Sequence, residues 1–412
     1  MWVPASAGTM EGFSYNALMN DLAQRLRVAA RMAHIAPFEV MEIQTLAREV
    51  EARGRDVVHL EIGEPDFRTP RTVVEAAKRA LDTEPMFYTS ALGLAALREA
   101  IARFYAERYR VEVPASRVIV TAGSSAALLL AFGVLLDPGD EVLLADPGYP
   151  CNRHFARTLG VVPRAVPVGP ESRYQLTPEL ARRHWGAATR MAMVASPSNP
   201  TGTLVTPAEV QGLAALAREK GGTLLADEIY HGLTYGLDAR TAVEGGEDVV
   251  VINSFSKYFQ MTGWRLGWMV APPELVRRIE VLAQNLFISP STVAQHAALA
   301  CFEPATIAIL EERRAELDRR RTFLVPALES LGFGVPVVPQ GAFYIYADCS
   351  RLTADSFAFA REVLVEAGVA ITPGKDFGAN APERHVRIAY TQPVERLEEA
   401  VERLRRFLAG RR

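Results

Sequence analysis

Cysteine is scarce: Cys151, Cys301 and Cys349 lie far apart in a chain of 412 residues. An odd, scattered set excludes a disulfide framework and shows no metal-ligand spacing. A reducing, cytoplasmic compartment without a bound metal is expected. No run of basic residues dominates any segment, and the formal net charge is −3. Nucleic acid is therefore not an expected partner. Long apolar runs are also missing. Stretches such as Ala126 to Leu136 are too short to span a bilayer, and no charged segment leads into an apolar one near the amino terminus. Neither secretion nor membrane insertion is expected. Internal repeats and low-complexity tracts are absent as well.

What is present has the composition of a soluble globular protein, 49% hydrophobic and 23% charged. The length suits two domains and a core able to enclose a cofactor pocket. Residues 1–30 read as an arm without clean periodicity, in which Met10 and Met19 are alternative starts. From Phe38 to Arg53, apolar residues recur at helical spacing until Gly54 stops the pattern. A strand over 57–62 and the loop Gly63-Glu64-Pro65-Asp66-Phe67 follow. Helices are expected over 71–82 and 94–109. Strands at 117–121, 141–145, 161–168, 190–195, 223–227, 248–254 and 265–271 then alternate with helices. One of these, over 206–220, opens at Thr206-Pro207-Ala208-Glu209 and ends at Gly221. Beyond Pro273 come helices at 273–286, 293–302 and 305–331, strands at 334–338, 342–347, 369–372 and 385–389, and an amphipathic helix over 394–408. The expected class is α/β: a three-layer α/β/α domain with a mostly parallel central sheet over 66–299, plus a smaller α+β domain built from 31–65 and 300–412.

In open α/β sheets, ligands collect beyond the carboxyl ends of the strands, so residues just after each strand belong together. Lys257 stands among small hydroxyls, aromatics and glycines after the apolar run Val249 to Ile252. Desolvation there lowers a lysine pKa and exposes the nucleophilic amine that a Schiff base requires. Ser254, Ser256 and Arg265 beside it, and Ser124 and Ser125 after Gly123 at a helix start, supply donors for a phosphate. A serine at a helix start also serves as a plain N-cap. Tyr149 offers a ring for stacking, or simply packs in its loop. Asn199 sits between Pro197 and Pro200, which fix its backbone. Asp227 closes an apolar strand and Tyr230 follows within reach, although a structural salt bridge and a core aromatic are the plainer alternatives. A pyridoxal ring explains the set, because its protonated nitrogen needs a buried carboxylate and its ring hydroxyl needs polar partners. Arg387, in the apolar strand His385 to Tyr390, would meet an α-carboxylate with a two-pronged guanidinium, unless it is a surface arginine on an edge strand.

With these residues in this order, residues 35–410 resemble a pyridoxal-phosphate-dependent aminotransferase of class I/II, with the aspartate aminotransferase fold. The resemblance implies that Lys257 is the Schiff-base lysine and shuttles a proton, with Asp227 and Tyr230 joining it in catalysis. It implies that Asp227 pairs with the pyridine nitrogen, that Asn199 and Tyr230 meet the ring hydroxyl, and that Tyr149 stacks on the ring. Ser124, Ser125, Ser254, Ser256 and Arg265 would hold the phosphate, joined by Tyr88 from a neighbouring subunit of a homodimer. Gly63, Asn199 and Arg387 would receive the substrate carboxylate. An amino acid and a 2-oxo acid would react in a ping-pong cycle with pyridoxal 5'-phosphate.

Tyr149 stands where relatives often carry tryptophan or another aromatic, which does not settle the substrate; no second arginine for a side-chain carboxylate is evident, which does not favour aspartate. Ile35 and Phe38 resemble the segment that closes over substrate, and their apolar character points to a neutral or aromatic side chain. Two other readings stay open on the residues alone. A C–S β-lyase begins from the same cofactor chemistry. A pyridoxal-binding sensory domain would carry a helix-turn-helix module ahead of this fold, for which residues 1–35 are too short.

Overall fold

The computed structural model describes residues 28–411. The chain divides into two units, Met1–Ala36 and Pro37–Arg412. In the first, a 3-10 turn covers Ala30–His34. The alternative starts Met10 and Met19, and all of the expected arm before residue 28, lie outside the described residues.

In the second unit a short strand β1 (Val58–His59) precedes the large sheet. That sheet contains β2 (Val118–Thr121), β3 (Glu141–Asp146), β4 (Val162–Pro167), β5 (Thr189–Ala195), β6 (Thr223–Asp227), β7 (Val250–Ser254) and β8 (Gly267–Val270). Its order is β2-β8-β7-β6-β5-β3-β4. All pairings are parallel except those of β8, which runs against both β2 and β7.

Alternation along each strand explains why helices cover both faces. Side chains point to opposite faces at every step. Ile119, Val142, Leu144, Met191, Met193, Leu225, Val250, Ile252 and Met269 enter one core with Leu128, Leu130 and Phe132 of the helix Gly123–Leu135. Their neighbours Val118, Val120, Leu143, Ala192, Val194, Leu224, Ala226, Val251, Trp268 and Val270 enter another. There they meet Leu213 and Leu216 of the helix Pro207–Glu219, and Ile101 and Tyr105 of the helix Ala95–Tyr109. Two apolar faces on one sheet require three layers. The expected start of the helix Pro207–Glu219 is a capping box: Glu209 N–H donates to Thr206 Oγ1 (3.2 Å), and Thr206 N–H donates to Glu209 Oε2 (2.8 Å).

Later in the chain, β9 (Tyr344–Asp348), β10 (Val369–Ala370), β11 (Thr372–Pro373) and β12 (His385–Ala389) form two smaller sheets. The antiparallel order is β11-β12-β9, and β1 pairs in parallel with β10. Among the described residues, no single helix is long and apolar enough to cross a membrane.

Several expected boundaries move. The strand over 334–338 is absent; Gly334 makes only an isolated bridge to Asp348. The strand over 369–372 breaks at Ile371, because its halves pair with different partners. The strand over 57–62 narrows to β1, although Leu60 still donates to Ala370 O at 2.9 Å and accepts from Ala389 N–H at 2.7 Å. The helix over 293–302 is α-helical for Thr292–Leu299 and 3-10 for Ala300–Phe302. A helix not anticipated runs over Ser356–Glu362 and widens to a π turn at Val363–Ala367. Asp355 starts it by accepting from Phe357 N–H at 2.9 Å, and Phe359, Ala360, Val363 and Leu364 bury its inner face.

Candidate active site

Every candidate on the large sheet comes from one edge of it. Ser124 and Ser125 follow β2, Tyr149 follows β3, Asn199 follows β5, Asp227 and Tyr230 follow β6, and Lys257 follows β7. Because β8 runs the other way, the residue that precedes it, Arg265, reaches the same edge. A cleft of about 430 Å³ opens there, lined by Gly63, Ser124, Ser125, Tyr149, Asn199, Asp227, Tyr230, Ser256, Lys257, Arg265 and Arg387. Sequence reasoning thus assembled most of one cavity from segments hundreds of residues apart.

Lys257 is partly accessible from the cleft. Its Nζ donates to Gly63 O at 2.6 Å. Burial pulls its pKa down to about 8; Arg387 and Arg265 add to the fall, while Glu64 and Asp227 oppose it. Near neutral pH a usable fraction is therefore the free amine. Asp227 is buried and accepts from Ile229 N–H at 3.1 Å. Desolvation lifts its carboxyl to about 6 against that hydrogen bond and the nearby Lys257. A carboxylate held at such cost faces the cleft ready for a cationic partner.

Arg387 is 4% exposed, so its environment is informative. It donates from Nη1 to Asn199 Oδ1 (3.0 Å) and from Nη2 to Glu61 O (2.6 Å) and Thr372 Oγ1 (3.3 Å). Its guanidinium carbon lies 4.4 Å from the Tyr344 ring centre and 5.0 Å from that of Phe377. All of these partners are neutral. Among the described residues no carboxylate forms an ion pair with it, and its Nε has no acceptor. A buried guanidinium without a counter-ion is a receptor for an anion.

Two glycines shape the opposite end. Gly123 has φ +78, and a Cβ there would lie 2.5 Å from Arg265 Nη2; a Cβ on Gly267 would lie 3.0 Å from Ser124 N. The missing side chains let a guanidinium approach the unpaired first-turn N–H groups of the helix Gly123–Leu135, an arrangement suited to a phosphate. Ser254 does not line the cleft. Its hydroxyl lies 2.9 Å from Ser256 Oγ and 3.1 Å from Leu266 O, behind Ser256. Tyr88 lies away from the cleft, 79% exposed beside Met86 and Phe87. Phe38 lines the cleft with its ring 6.3 Å from that of Tyr149, whereas Ile35 belongs to the first unit.

The structure adds lining residues that sequence reasoning missed. Tyr344 Oη is 3.0 Å from Tyr230 Oη. Thr262 donates to Ser256 O at 2.8 Å, and Asp376 accepts from Glu39 N–H at 3.0 Å. Phe377 and Glu64 line the cleft too, as do Val40, Met41 and Gln44 of the helix Glu39–Ala52. Tyr344 lies in a strand with Phe343 and Tyr346, and nothing in that pattern separates a site aromatic from a core one.

A family model described as "Aminotransferase class I and II" matches residues 55–404. The chain belongs to that family. The aminotransferase is 39% identical over 384 residues to a valine–pyruvate aminotransferase of Mycobacterium tuberculosis, covering 93% of this chain and 98% of the relative. It is 33% identical to an aspartate aminotransferase of Geobacillus stearothermophilus, covering 94% and 100%. Its fold superposes with a TM-score of 0.90 on the crystal structure of an aminotransferase from Mycobacterium tuberculosis, 39% identical, covering 93% of this chain and 100% of that one. Aminotransferases of this class use pyridoxal 5'-phosphate to move an amino group from an amino acid to a 2-oxo acid. The residues of the cleft fit that cofactor: the glycine-cleared cradle would take a phosphate, and the desolvated Asp227 carboxylate would suit a protonated ring nitrogen.

Proposed function

We propose that this aminotransferase takes a neutral, apolar amino acid as donor. Arg387 with Asn199 and Gly63 receives its α-carboxylate, and Lys257 moves the proton at its Cα. The observation that carries this reading is the coincidence of Arg387 and Lys257 in one cleft, one cation without a counter-ion and the other an amine that deprotonates near pH 8. Bound pyridoxal phosphate supplies an electron sink and the carbonyl to which the amine adds. Asp227 keeps its ring nitrogen charged. Asn199 and Tyr230 would orient its hydroxyl, and the Tyr149 ring would stack on that of the cofactor. Ser124, Ser125, Ser256 and Arg265 hold the phosphate, with Ser254 fixing Ser256. Donor and acceptor would present their carboxylates to Arg387 in turn, the order of a ping-pong cycle.

Phe38, Val40 and Met41 on the cleft wall support an apolar donor, as does the valine–pyruvate specificity in the name of the Mycobacterium relative. Tyr88, in an exposed patch with Phe87 and Leu81, is proposed to reach the cleft of a second copy in a homodimer. The larger sheet is proposed to belong to a domain of residues 66–299, since all its strands fall between 118 and 270. A cytoplasmic location remains part of the same proposal. A single-turnover panel tests the donor: each amino acid in turn is mixed with the holoenzyme and the cofactor spectrum followed. Valine, leucine and aromatic amino acids are expected to convert it; conversion by aspartate and glutamate alone overturns the reading.

A further inference from the structure

Glu61 is 0% exposed, and its Oε2 has no hydrogen-bond partner among the described residues. Its Oε1 lies 2.9 Å from His59 Nδ1, and His59 Nε2 lies 3.1 Å from Glu51 Oε1 on the helix Glu39–Ala52. Burying a carboxylate this completely is costly unless it is well paired, so its presence calls for a reason. The backbone around it supplies one. Glu61 O accepts from Arg387 Nη2 at 2.6 Å, and Gly63 O accepts from Lys257 Nζ at 2.6 Å. Two cations of the cleft, Arg387 and Lys257, therefore take their direction from one short segment. That segment tolerates little drift, because a Cβ on Gly63 would lie 3.0 Å from Tyr344 Oη.

We propose that Glu61 is a positioning residue for substrate binding: its carboxylate, clamped by His59 and through it by Glu51, fixes the segment whose Glu61 carbonyl aims Arg387 into the cleft. This rests on the reading of Arg387 as the carboxylate receptor. Glu61 itself touches neither substrate nor cofactor and acts through the peptide backbone. The groups that face His59 are Glu61 on its own segment and Glu51 on the helix; Gln392, which donates to His59 O at 3.2 Å, is neutral. The Glu61 hydrogen bond, opposed by desolvation and helped by Glu51, lifts the His59 pKa from 6.5 to about 9. A raised histidine pKa means that the clamp is at full strength below about 6.5 and is lost as pH rises through about 9. Carboxylate binding should weaken over the same window.

Propionate tests this, since it carries the carboxylate but neither an amino nor an oxo group. Its dissociation constant, measured calorimetrically on the holoenzyme against pH, is a readout independent of turnover. Glu61→Gln is expected to weaken propionate roughly tenfold. KM for donor and acceptor should rise in proportion, while kcat changes much less. Glu51→Gln lies at the solvent end of the clamp, where loss of folding is not expected. It should bring the high-pH weakening down to lower pH, which a change in Lys257 titration alone would not do. If Arg387→Ala abolishes propionate binding while Glu61→Gln binds normally, or while Glu51→Gln leaves the pH profile unmoved, the positioning role is overturned and the receptor reading stands. If Glu61→Gln fails to fold, the Glu51→Gln profile decides. Unchanged binding in Arg387→Ala overturns both.

Discussion

The two walls of the cleft are built in different ways. On one wall, Ser124, Tyr149, Asn199, Asp227 and Lys257 each stand just after a strand of the large sheet, so a single topology delivers all of them to one edge. On the other, Gly63, Tyr344, Phe377 and Arg387 come from separate segments tied together by long-range contacts, such as the Arg387 bonds to Glu61 O and Asn199 Oδ1. In the proposed reading, the sheet wall holds a flat ring and a phosphate. The far wall is organised around Arg387, which among the described residues forms no ion pair. On that reading the large sheet carries the cofactor contacts, and substrate recognition falls to the small antiparallel sheet, where Arg387 and Tyr344 lie on the paired strands β12 and β9.

Lys257 belongs to both walls, since it follows β7 yet donates to Gly63 O. Lys257→Ala is therefore expected to have the largest effect, lowering kcat by ~10³-fold or more through loss of both the cofactor linkage and the proton carrier. Turnover near the normal rate would exclude it as the catalytic lysine. Arg387→Ala comes next and should separate the walls. Removing one side of a buried, hydrogen-bonded charge pair costs about 2–5 kcal/mol. KM for amino and oxo acids should rise accordingly, with cofactor affinity little changed. Equal losses of cofactor and substrate affinity would break the division between the walls.

Asp227→Asn tests the sheet wall from the other side and splits activity from stability. The folded carboxyl titrates near 6 instead of 3.8. For this raised acid, the favourable contribution is complete below about 3.8 and is lost as pH rises through about 6, so at neutral pH the ionised group costs the cofactor-free protein on the order of 2–3 kcal/mol. The variant should lose activity and yet, without cofactor, unfold at higher denaturant, with a flatter dependence of stability between pH 4 and 6. A cofactor-free variant less stable than the parent would show that Asp227 is a structural ion. Gly123→Ala should have the smallest effect. Its φ of +78 and the 2.5 Å approach to Arg265 predict strain of about 1–3 kcal/mol, read as weaker cofactor binding with donor KM nearly unchanged.

The same contrast governs what was legible beforehand. The sheet-edge residues could be read because strand periodicity and the rule of carboxyl-end loops place them with no knowledge of distant contacts. Arg387 was legible for another reason: a charge inside an apolar strand demands a partner wherever it lies. Tyr344 and Phe377 carry no such signal, because an aromatic in a buried strand or loop looks the same whether it faces a core or a cleft. Ser254 was assigned to the phosphate, yet its hydroxyl stands behind Ser256, and one hydroxyl in a row of hydroxyls does not announce which of them faces solvent. The helix over Ser356–Glu362 was overlooked although Asp355 and the apolar period at Phe359, Val363 and Leu364 marked it. The strand expected over 334–338 finds no partner beyond the one bridge from Gly334 to Asp348.

By itself the amino-acid sequence determined the α/β alternation and singled out Lys257, Asp227 and Arg387 as candidates, because these follow from local periodicity and from the cost of placing charge in apolar surroundings. Only the tertiary structure decided that Lys257 and Arg387 hang from the carbonyls of Gly63 and Glu61, and that Glu51, His59 and Glu61 brace that segment. Those contacts join residues as much as 326 positions apart. Backbone carbonyls carry no residue signature, so their partners are set by how the layers pack.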